Sequence, residues 1–348
     1  MAAEKLVGGL QLGAREGDFI QTHDGLIFDV KGLLHPPDRV IAYLRYVPDK
    51  RGSRQRGGVK YRKVYNLTAR ARLLRAKWPA YLYRDPVLNR EVQAIPIEKV
   101  KQHYLPTLRY ADLRCSTELD RKEQSAVSMA ETLVKEARVP ASKIGVSGSI
   151  LVGLHTRKSD IDLIVYGSGI ARRCCSKLKA LLQTHSLGFS QYEKSDLRRL
   201  YAQRNLSSSI PFHVFATHER SKVLQGKFRG TDYFIRCVIE WNEWAEAYGD
   251  RRYHPAGRAT VHGKIGDDLK SIFTPCTYDL VDARATGKLP APTQIVSFRG
   301  RFCEQARSGE RIIAKGTLER VVDKRGETHR LVIGEDPRDC LMVVGRRG

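Results

Sequence analysis

The stretch Ile144–Tyr166, IGVSGSILVGLHTRKSDIDLIVY, has the pattern of a strand, a tight turn, a short helix and a second strand. The turn is Ser147–Ser149. The run Ile161–Val165 alternates less than an exposed strand would, which predicts a strand covered on both faces. Asp160 and Asp162 stand at its start and share one face, because side chains two residues apart on a strand point the same way. The stretch therefore predicts a buried strand that presents two carboxylates.

The turn before the carboxylates has the residues of a phosphate site. Gly148 would let the backbone come close to a ligand, and Ser149 is placed to cap the following helix, whose N–H groups favour a phosphate. Two carboxylates on one strand face can bind one or two Mg²⁺ ions. A phosphate cradle beside a divalent-metal site suits the transfer of a nucleotidyl group from a nucleoside triphosphate.

This stretch resembles the nucleotidyltransferase superfamily of DNA polymerase β, poly(A) polymerases and CCA-adding enzymes. The shared pattern is Gly-Ser, about ten residues, then Asp, an apolar residue and Asp. Here it stands as Gly148-Ser149 and Asp160-Ile161-Asp162, and the resemblance covers roughly residues 120–245. Over its length the chain also looks like predicted nucleotidyltransferases without an assigned substrate. The alternative is a Gly-Ser turn followed by a surface Asp pair.

The resemblance implies roles for residues of this stretch. Asp160 and Asp162 would bind Mg²⁺, with Mn²⁺ as a possible substitute, and a nucleoside triphosphate would be the substrate. Gly148 and Ser149 would hold the triphosphate oxygens. Ser159 and Lys158 would be further nucleotide contacts, although Lys158 is equally well explained as a solvated side chain.

The superfamily also has a third carboxylate on a later strand, and here the pattern departs from it. The sequence predicts that strand at residues 209–217, where no acidic residue occurs and His213 stands in the expected place. His213 is therefore predicted as a catalytic residue with a preference for Mn²⁺ over Mg²⁺. The alternative is a structural histidine. Asp232 and Glu240, at the borders of the next strand, are weaker candidates for the third acid.

The composition favours a polyanionic partner. Lys and Arg number 61 against 38 Asp and Glu, a formal charge of +23, which favours nucleic acid through counterion release. No apolar run approaches the ~20 residues of a membrane span, and the N-terminus lacks the pattern of a secretory signal. The sequence thus predicts a soluble cytoplasmic protein without a membrane partner. The oligomeric state stays open.

Residues 50–84 are the most basic segment and contain no Asp or Glu. Tyrosines and a tryptophan are interleaved with the basic residues, a combination typical of nucleic-acid binding. The predicted RNA contacts are Lys60, Arg62, Arg70, Arg72 and Arg75. The alternative is a solvated face with aromatic residues in the core.

Changes in composition and hydrophobic pattern along the sequence predict four segments. These are a flexible N-terminus (residues 1–16), a basic N-terminal domain (17–115), a nucleotidyltransferase core (116–245) and a β-rich C-terminal domain (246–348). The predicted fold class is α/β (α+β), with a β-rich domain on each side of the core.

Two hypotheses about function follow. The first is a nucleotidyltransferase that transfers a nucleoside monophosphate to an acceptor, RNA being favoured, by two-metal catalysis. The second is an RNA-binding protein whose nucleotidyltransferase core is catalytically impaired. The intact Gly-Ser and Asp-x-Asp elements favour the first, and the missing third acid favours the second.

Overall fold

A computed structural model describes residues 6–7, 10–11, 13–204 and 210–345, and this part of the chain is a mixed α+β protein. The predicted α+β class is confirmed. The predicted flexible N-terminus lies largely outside the described residues. The chain forms two compact units, the first made of residues 1–85, 90–177 and 228–248 and the second of residues 86–89, 178–227 and 249–348.

The helices and strands are numbered in chain order. The strands are β1 (Leu6–Val7), β2 (Leu10–Gln11), β3 (Phe19–Thr22), β4 (Ile27–Val30), β5 (Arg39–Pro48), β6 (Arg54–Arg56), β7 (Val59–Lys63), β8 (Leu82–Asp85), β9 (Arg90–Pro96), β10 (Val100–Tyr104), β11 (Ile144–Val146), β12 (Ile161–Tyr166), β13 (Phe189–Ser190), β14 (Gln225–Phe228), β15 (Thr231–Val238), β16 (Arg252–Asp267), β17 (Cys276–Ala285), β18 (Gln294–Ser297), β19 (Arg311–Asp323), β20 (Gly326–Val332) and β21 (Cys340–Val343). The helices are α1 (Leu67–Lys77), α2 (Pro106–Cys115), α3 (Arg121–Ala137), α4 (Gly148–Leu151), α5 (Ser168–Gln183), α6 (Lys194–Gln203) and α7 (Phe212–Arg220).

The first unit contains an antiparallel sheet with the strand order β10-β3-β4-β5-β7-β6, which β9 and β8 extend from β5. Strands β6 and β7 form a hairpin, and Gly57 and Gly58 make its turn with positive φ values. One face of the sheet packs around Phe28 and Leu44, which are fully buried. Helix α1 covers this core through the buried Leu74.

A second group of strands in the first unit holds the predicted organising stretch. Strand β11 pairs antiparallel with β12, and β12 pairs in parallel with β15. Helix α3 begins with a capping box, in which Asp120 and Glu123 each bond the backbone N–H of the other. Its buried residues Ala126, Met129, Ala130 and Leu133 have the i, i+3, i+4 spacing of one helix face.

The second unit is dominated by strands β16–β21. Its helices α6 and α7 pack through a small apolar cluster that includes Leu197, Phe215 and Ala216. Strands β16, β17, β18, β20 and β19 follow one another around a ring, because β16 also pairs with β19. The five strands therefore close into a barrel.

Within the described ranges, no helix combines the length and the apolar character needed to cross a membrane.

Candidate functional site

Three carboxylates stand at the same end of the parallel pair β12 and β15. Asp160 precedes β12, and Asp162 pairs in register with Phe234 of β15. Two pairs earlier, one step beyond the pair Ile161–Tyr233, the same register puts Asp232 level with Asp160. Because residues two apart on a strand share a face, the three carboxylates lie on one face of the sheet.

The charges around Lys122 at the start of α3 agree with this arrangement. Burial lowers the pKa of Lys122, and the negative charges of nearby carboxylates raise it; these are Asp160, Asp120 and Asp232. A single ammonium group thus lies near both Asp160 and Asp232. Glu240, the other weaker candidate, follows the far end of β15 and binds Lys143 and Arg15 at 2.7 and 3.0 Å.

The turn between β11 and α4 lies directly against one of the carboxylates. Gly148 has a φ of +61°, and a Cβ there would collide with the carboxylate of Asp162, whose Cγ would be 2.6 Å away. The backbone N–H of Ser147 donates to the carbonyl of Asp162 at 2.9 Å. Only glycine at position 148 therefore leaves the Asp162 carboxylate where it is.

The cap of α4 differs from the sequence prediction. Ser147, not Ser149, is the N-cap residue, and α4 is a single turn. The hydroxyl of Ser147 donates to the carbonyl of Gly17 at 2.7 Å, so its role is to join the turn to the segment before β3. Ser149 is buried inside α4, and the prediction that it caps the helix is wrong.

The carboxylate pair is incompletely neutralised. Burial and the negative charge of Asp160 raise the pKa of Asp162 to about 7. The cations that act against this shift are Lys63, Arg236 and Arg45. The two close carboxylates repel each other when both are ionised, and a divalent cation would relieve that repulsion.

Lys63 of β7 is a site residue that the sequence analysis did not identify. Burial, and next the positive charge of Arg45, lower the pKa of Lys63 to about 8. The negative charges of Asp160 and Asp162 act in the opposite direction, which places Lys63 near the pair. Lys63 makes no direct salt bridge with any described residue. Its ammonium group is therefore available to an anionic ligand.

A β-bulge in strand β5 positions Arg45 near the Asp162 carboxylate. Ile27 of β4 pairs with Tyr46, while Phe28 pairs with Leu44, so Arg45 is an extra residue in β5. Such bulges re-aim side chains and are frequent next to active sites. The bulge turns Tyr46 toward a buried cluster that includes Leu151 and Val152 of the segment after Gly148. No local pattern in the sequence marks this bulge.

The hairpin β6–β7 fixes the loop between α4 and β12. Arg56 donates to the carbonyl of Val152 at 2.8 Å, and Arg54 donates to the carbonyl of Leu154. The Gly-rich segment 50–60 is thus a structured hairpin that contacts the loop between α4 and β12, which we call the site loop. The sequence could not indicate this partner, because the two segments lie about 100 residues apart.

The two predicted nucleotide contacts in this loop differ in exposure. Ser159 is buried, and its Oγ accepts a hydrogen bond from the N–H of Thr156 at 2.9 Å, which closes a turn. Arg54 approaches the same hydroxyl at 3.4 Å. Lys158 is exposed. The structure gives Ser159 a role in shaping the loop, and nucleotide contact by either residue stays a prediction.

Asp120, Glu123 and His155 form an acidic and histidine cluster, with candidate ligand atoms within 4.8 Å of one another. Their groups already have partners. Asp120 binds His155 at 2.6 Å and caps α3, while Glu123 binds Arg109 at 2.5 Å. The cluster therefore serves to anchor the start of α3 to the site loop.

The predicted RNA contacts on helix α1 fall into two groups. Arg70 is buried, and its Nε donates to the carbonyl of Val64 at 3.0 Å, so it does not lie on the surface. Arg72 and Arg75 are exposed, and Arg75 forms a salt bridge with Glu91. The Arg70 side chain is a structural element of the N-terminal sheet.

The other two predicted RNA contacts lie on β7. Lys60 is exposed, and Arg62 is exposed and bound to Asp49 at 2.8 Å. RNA contact by these residues and by Arg72 and Arg75 stays a prediction.

His213 lies in the second unit, on helix α7, and is exposed. The predicted strand 209–217 is wrong, and its first residue lies outside the described part of the chain. Phe212, Phe215 and Ala216 have the i, i+3, i+4 spacing of a helix face, and Pro211 stands at the N-cap. The argument for His213 depended on a strand beside the Asp pair, and that strand is β15.

A buried ion network lies next to the carboxylates and gives the first testable result. Arg236 of β15 binds Glu16 at 2.9 Å and Asp29 at 3.5 Å. Replacing Arg236 by Met is expected to lower the free energy of unfolding by about 3–5 kcal/mol, because the buried carboxylates of Glu16 and Asp29 would then share the single positive charge of Lys31. Denaturant unfolding of Arg236→Met measures this.

The matched control is Arg72→Met on the exposed face of α1, for which a change within about 0.5 kcal/mol is expected. Equal stability of the two variants would show that the Arg236 network contributes nothing to folding.

Comparison with known proteins places the chain in a family. It is 30% identical over 326 residues to "Uncharacterized protein MJ1086" of Methanocaldococcus jannaschii, and the similarity covers 91% of this chain and 94% of that protein. The chain therefore belongs to the same family as MJ1086. No family model matches the chain, and no solved structure matches it.

Proposed function

We propose that the first unit is a nucleotidyltransferase core that transfers a nucleoside monophosphate from a nucleoside triphosphate to a hydroxyl of RNA. The observation that carries this proposal is the set of Asp160, Asp162 and Asp232 on one face of two parallel strands, with the backbone of Gly148 against Asp162. The Gly-Ser and Asp-x-Asp pattern of the superfamily supports the same conclusion.

The donor set fits Mg²⁺ or Mn²⁺. Three carboxylates provide the hard oxygen ligands that these ions prefer, and a bound cation would offset the burial and the negative charge of Asp160 that raise the pKa of Asp162. Asp160, Asp162 and Asp232 would hold the ions. When bound, such ions activate a hydroxyl nucleophile and stabilise the charge that develops on the phosphates.

Side chains and backbone of the protein would bind the triphosphate and accept the proton of the nucleophile. Gly148 brings the backbone of the turn directly against the Asp162 carboxylate, so a triphosphate held at this turn would lie beside the metal-binding residues. Lys63 and Arg45 would supply positive charge near the carboxylates. Asp232 would accept the proton of the attacking hydroxyl, the role for which the sequence analysis considers His213; its register position level with Asp160 supports this assignment.

The direct test is an incorporation assay with each of the four labelled nucleoside triphosphates, total RNA, and Mg²⁺ or Mn²⁺. The proposal expects covalent label in the RNA and release of pyrophosphate. Binding of RNA and triphosphate without incorporation under any of these conditions would instead support the second hypothesis, an RNA-binding protein with an impaired core.

The role of Lys63 gives a separate prediction. Replacing Lys63 by Met is expected to raise the KM for the nucleoside triphosphate by about tenfold or more, because a charge-assisted contact to phosphate is worth about 1.5–3 kcal/mol. Steady-state kinetics at saturating RNA measures the effect.

Lys60→Met is the matched control, since Lys60 lies on the same strand and is exposed. It is expected to leave the KM for the triphosphate unchanged. A similar KM for both variants would remove Lys63 from the phosphate site.

A further inference from the structure

The ring of strands in the second unit has a defined order. We number β16, β17, β18, β19 and β20 as the first to fifth strands of the barrel. In this numbering, neighbouring strands around the ring follow the order 1-2-3-5-4, and strand 4 pairs with strand 1. The β18–β20 pair is parallel, and the other pairs are antiparallel. This is the strand order of the OB-fold, a small barrel that binds oligonucleotides or oligosaccharides with the face of its second and third strands and the loops beside it.

The burial pattern separates the inside of this barrel from its outside. Val261 and Ile265 of β16 and Ile312 and Ala314 of β19 are fully buried or nearly so. Because successive side chains of a strand alternate between faces, the residues between these positions point outward.

The outward rows of three neighbouring strands carry basic side chains, interspersed with Thr260, Val281 and Ile313. His262 of β16 pairs with Arg284 of β17, and Lys264 pairs with Arg311 of β19. Lys315 of β19 lies in the next row, opposite Thr260. We call this set the barrel stripe; its members are His262, Lys264, Arg284, Arg311 and Lys315.

All five side chains of the barrel stripe are exposed, and none forms a salt bridge with a described residue. By contrast, other basic residues of the same barrel are paired, such as Arg320 with Glu327 and Arg330 with Glu319. Asp282 lies beside the barrel stripe at a bulge of β17, and Asp267 and Asp279 pair with each other further along β16 and β17. The barrel stripe is thus a row of uncompensated cations.

We propose that the barrel stripe binds single-stranded RNA through its phosphates. Cations in successive rows of a sheet match a chain of phosphates, and a narrow curved face suits one strand better than a wide duplex or a membrane surface. The barrel stripe contains no Phe, Tyr or Trp on which a base could stack, so binding would be independent of base sequence. Binding does not require nucleotidyl transfer.

The test is fluorescence anisotropy of a labelled 20-nucleotide single-stranded RNA titrated with the full chain, without nucleotide, at several salt concentrations. The variant carries Lys264→Gln and Arg311→Gln. If each residue contacts a phosphate, the log–log salt slope is expected to fall by about 1.4, and affinity at 0.1 M salt by about 25-fold.

The matched control carries Lys324→Gln and Arg325→Gln, two exposed cations at the opposite end of β19. It removes the same charge and is expected to bind RNA almost as the unchanged protein does. Equal losses in both variants, or no loss in the first, would overturn the proposal. So would stripe-dependent binding to phosphatidylserine vesicles or to duplex RNA with higher affinity than to the single strand.

Discussion

Replacing Asp160 or Asp162 by Asn is expected to lower nucleotide incorporation by more than about 100-fold in each case. Removing a group that hydrogen-bonds to a metal ligand already lowers metal affinity or activity about 10–100-fold. Removing the ligand itself is expected to lower activity further. A neutral amide is a poor partner for Mg²⁺. The measurement is the incorporation assay at saturating triphosphate with both Mg²⁺ and Mn²⁺.

Asp112→Asn is the control for this pair, because Asp112 is an exposed carboxylate of the same unit. It is expected to keep full activity. Asn has nearly the size of Asp and carries no charge, so both site variants are expected to keep the fold. Wild-type incorporation by either site variant would exclude the carboxylate pair from the reaction.

The second large effect is expected at Asp232. Replacing it by Asn should also lower incorporation by about 100-fold or more, since it is level with Asp160 in the register of β12 and β15. The loss should appear in kcat more than in the KM for the triphosphate, because a proton acceptor acts on the reacting hydroxyl.

Two variants separate Asp232 from the other candidates. Glu240→Gln removes a carboxylate at the far end of β15, and His213→Ala removes the exposed histidine of α7. Neither is expected to change kcat by more than about twofold, because neither residue belongs to the proposed metal site. If Asp232→Asn kept high activity and His213→Ala lost it, His213 and not Asp232 would be the third catalytic residue.

The local part of the site could be predicted from the sequence. The order of β11, the turn and β12 follows from a short apolar run, a Gly-Ser turn and a second apolar run, all within Ile144–Tyr166. The shared face of Asp160 and Asp162 follows from strand geometry alone. These features depend on neighbours in the chain, which a sequence displays directly.

The remaining parts depend on tertiary packing. Asp232 is a strong candidate only once β15 is known to pair in parallel with β12, and pairing partners cannot be derived from one sequence. The basic segment suggests an exposed surface, yet Arg70 is buried and Lys63 faces the carboxylates. The sequence of α7 can be mistaken for that of a strand because its apolar residues lie close together in a short segment. In so short a segment, hydrophobic periods of two and 3.6 residues are hard to distinguish.

The central claim is that three carboxylates form a metal site, and anomalous diffraction from crystals soaked with Mn²⁺ and a non-hydrolysable nucleoside triphosphate tests it most directly. The account predicts anomalous peaks within about 2.3 Å of carboxylate oxygens of Asp160, Asp162 and Asp232, with the triphosphate against the Gly148 turn. A triphosphate bound elsewhere, or manganese that avoids these three residues, would contradict it.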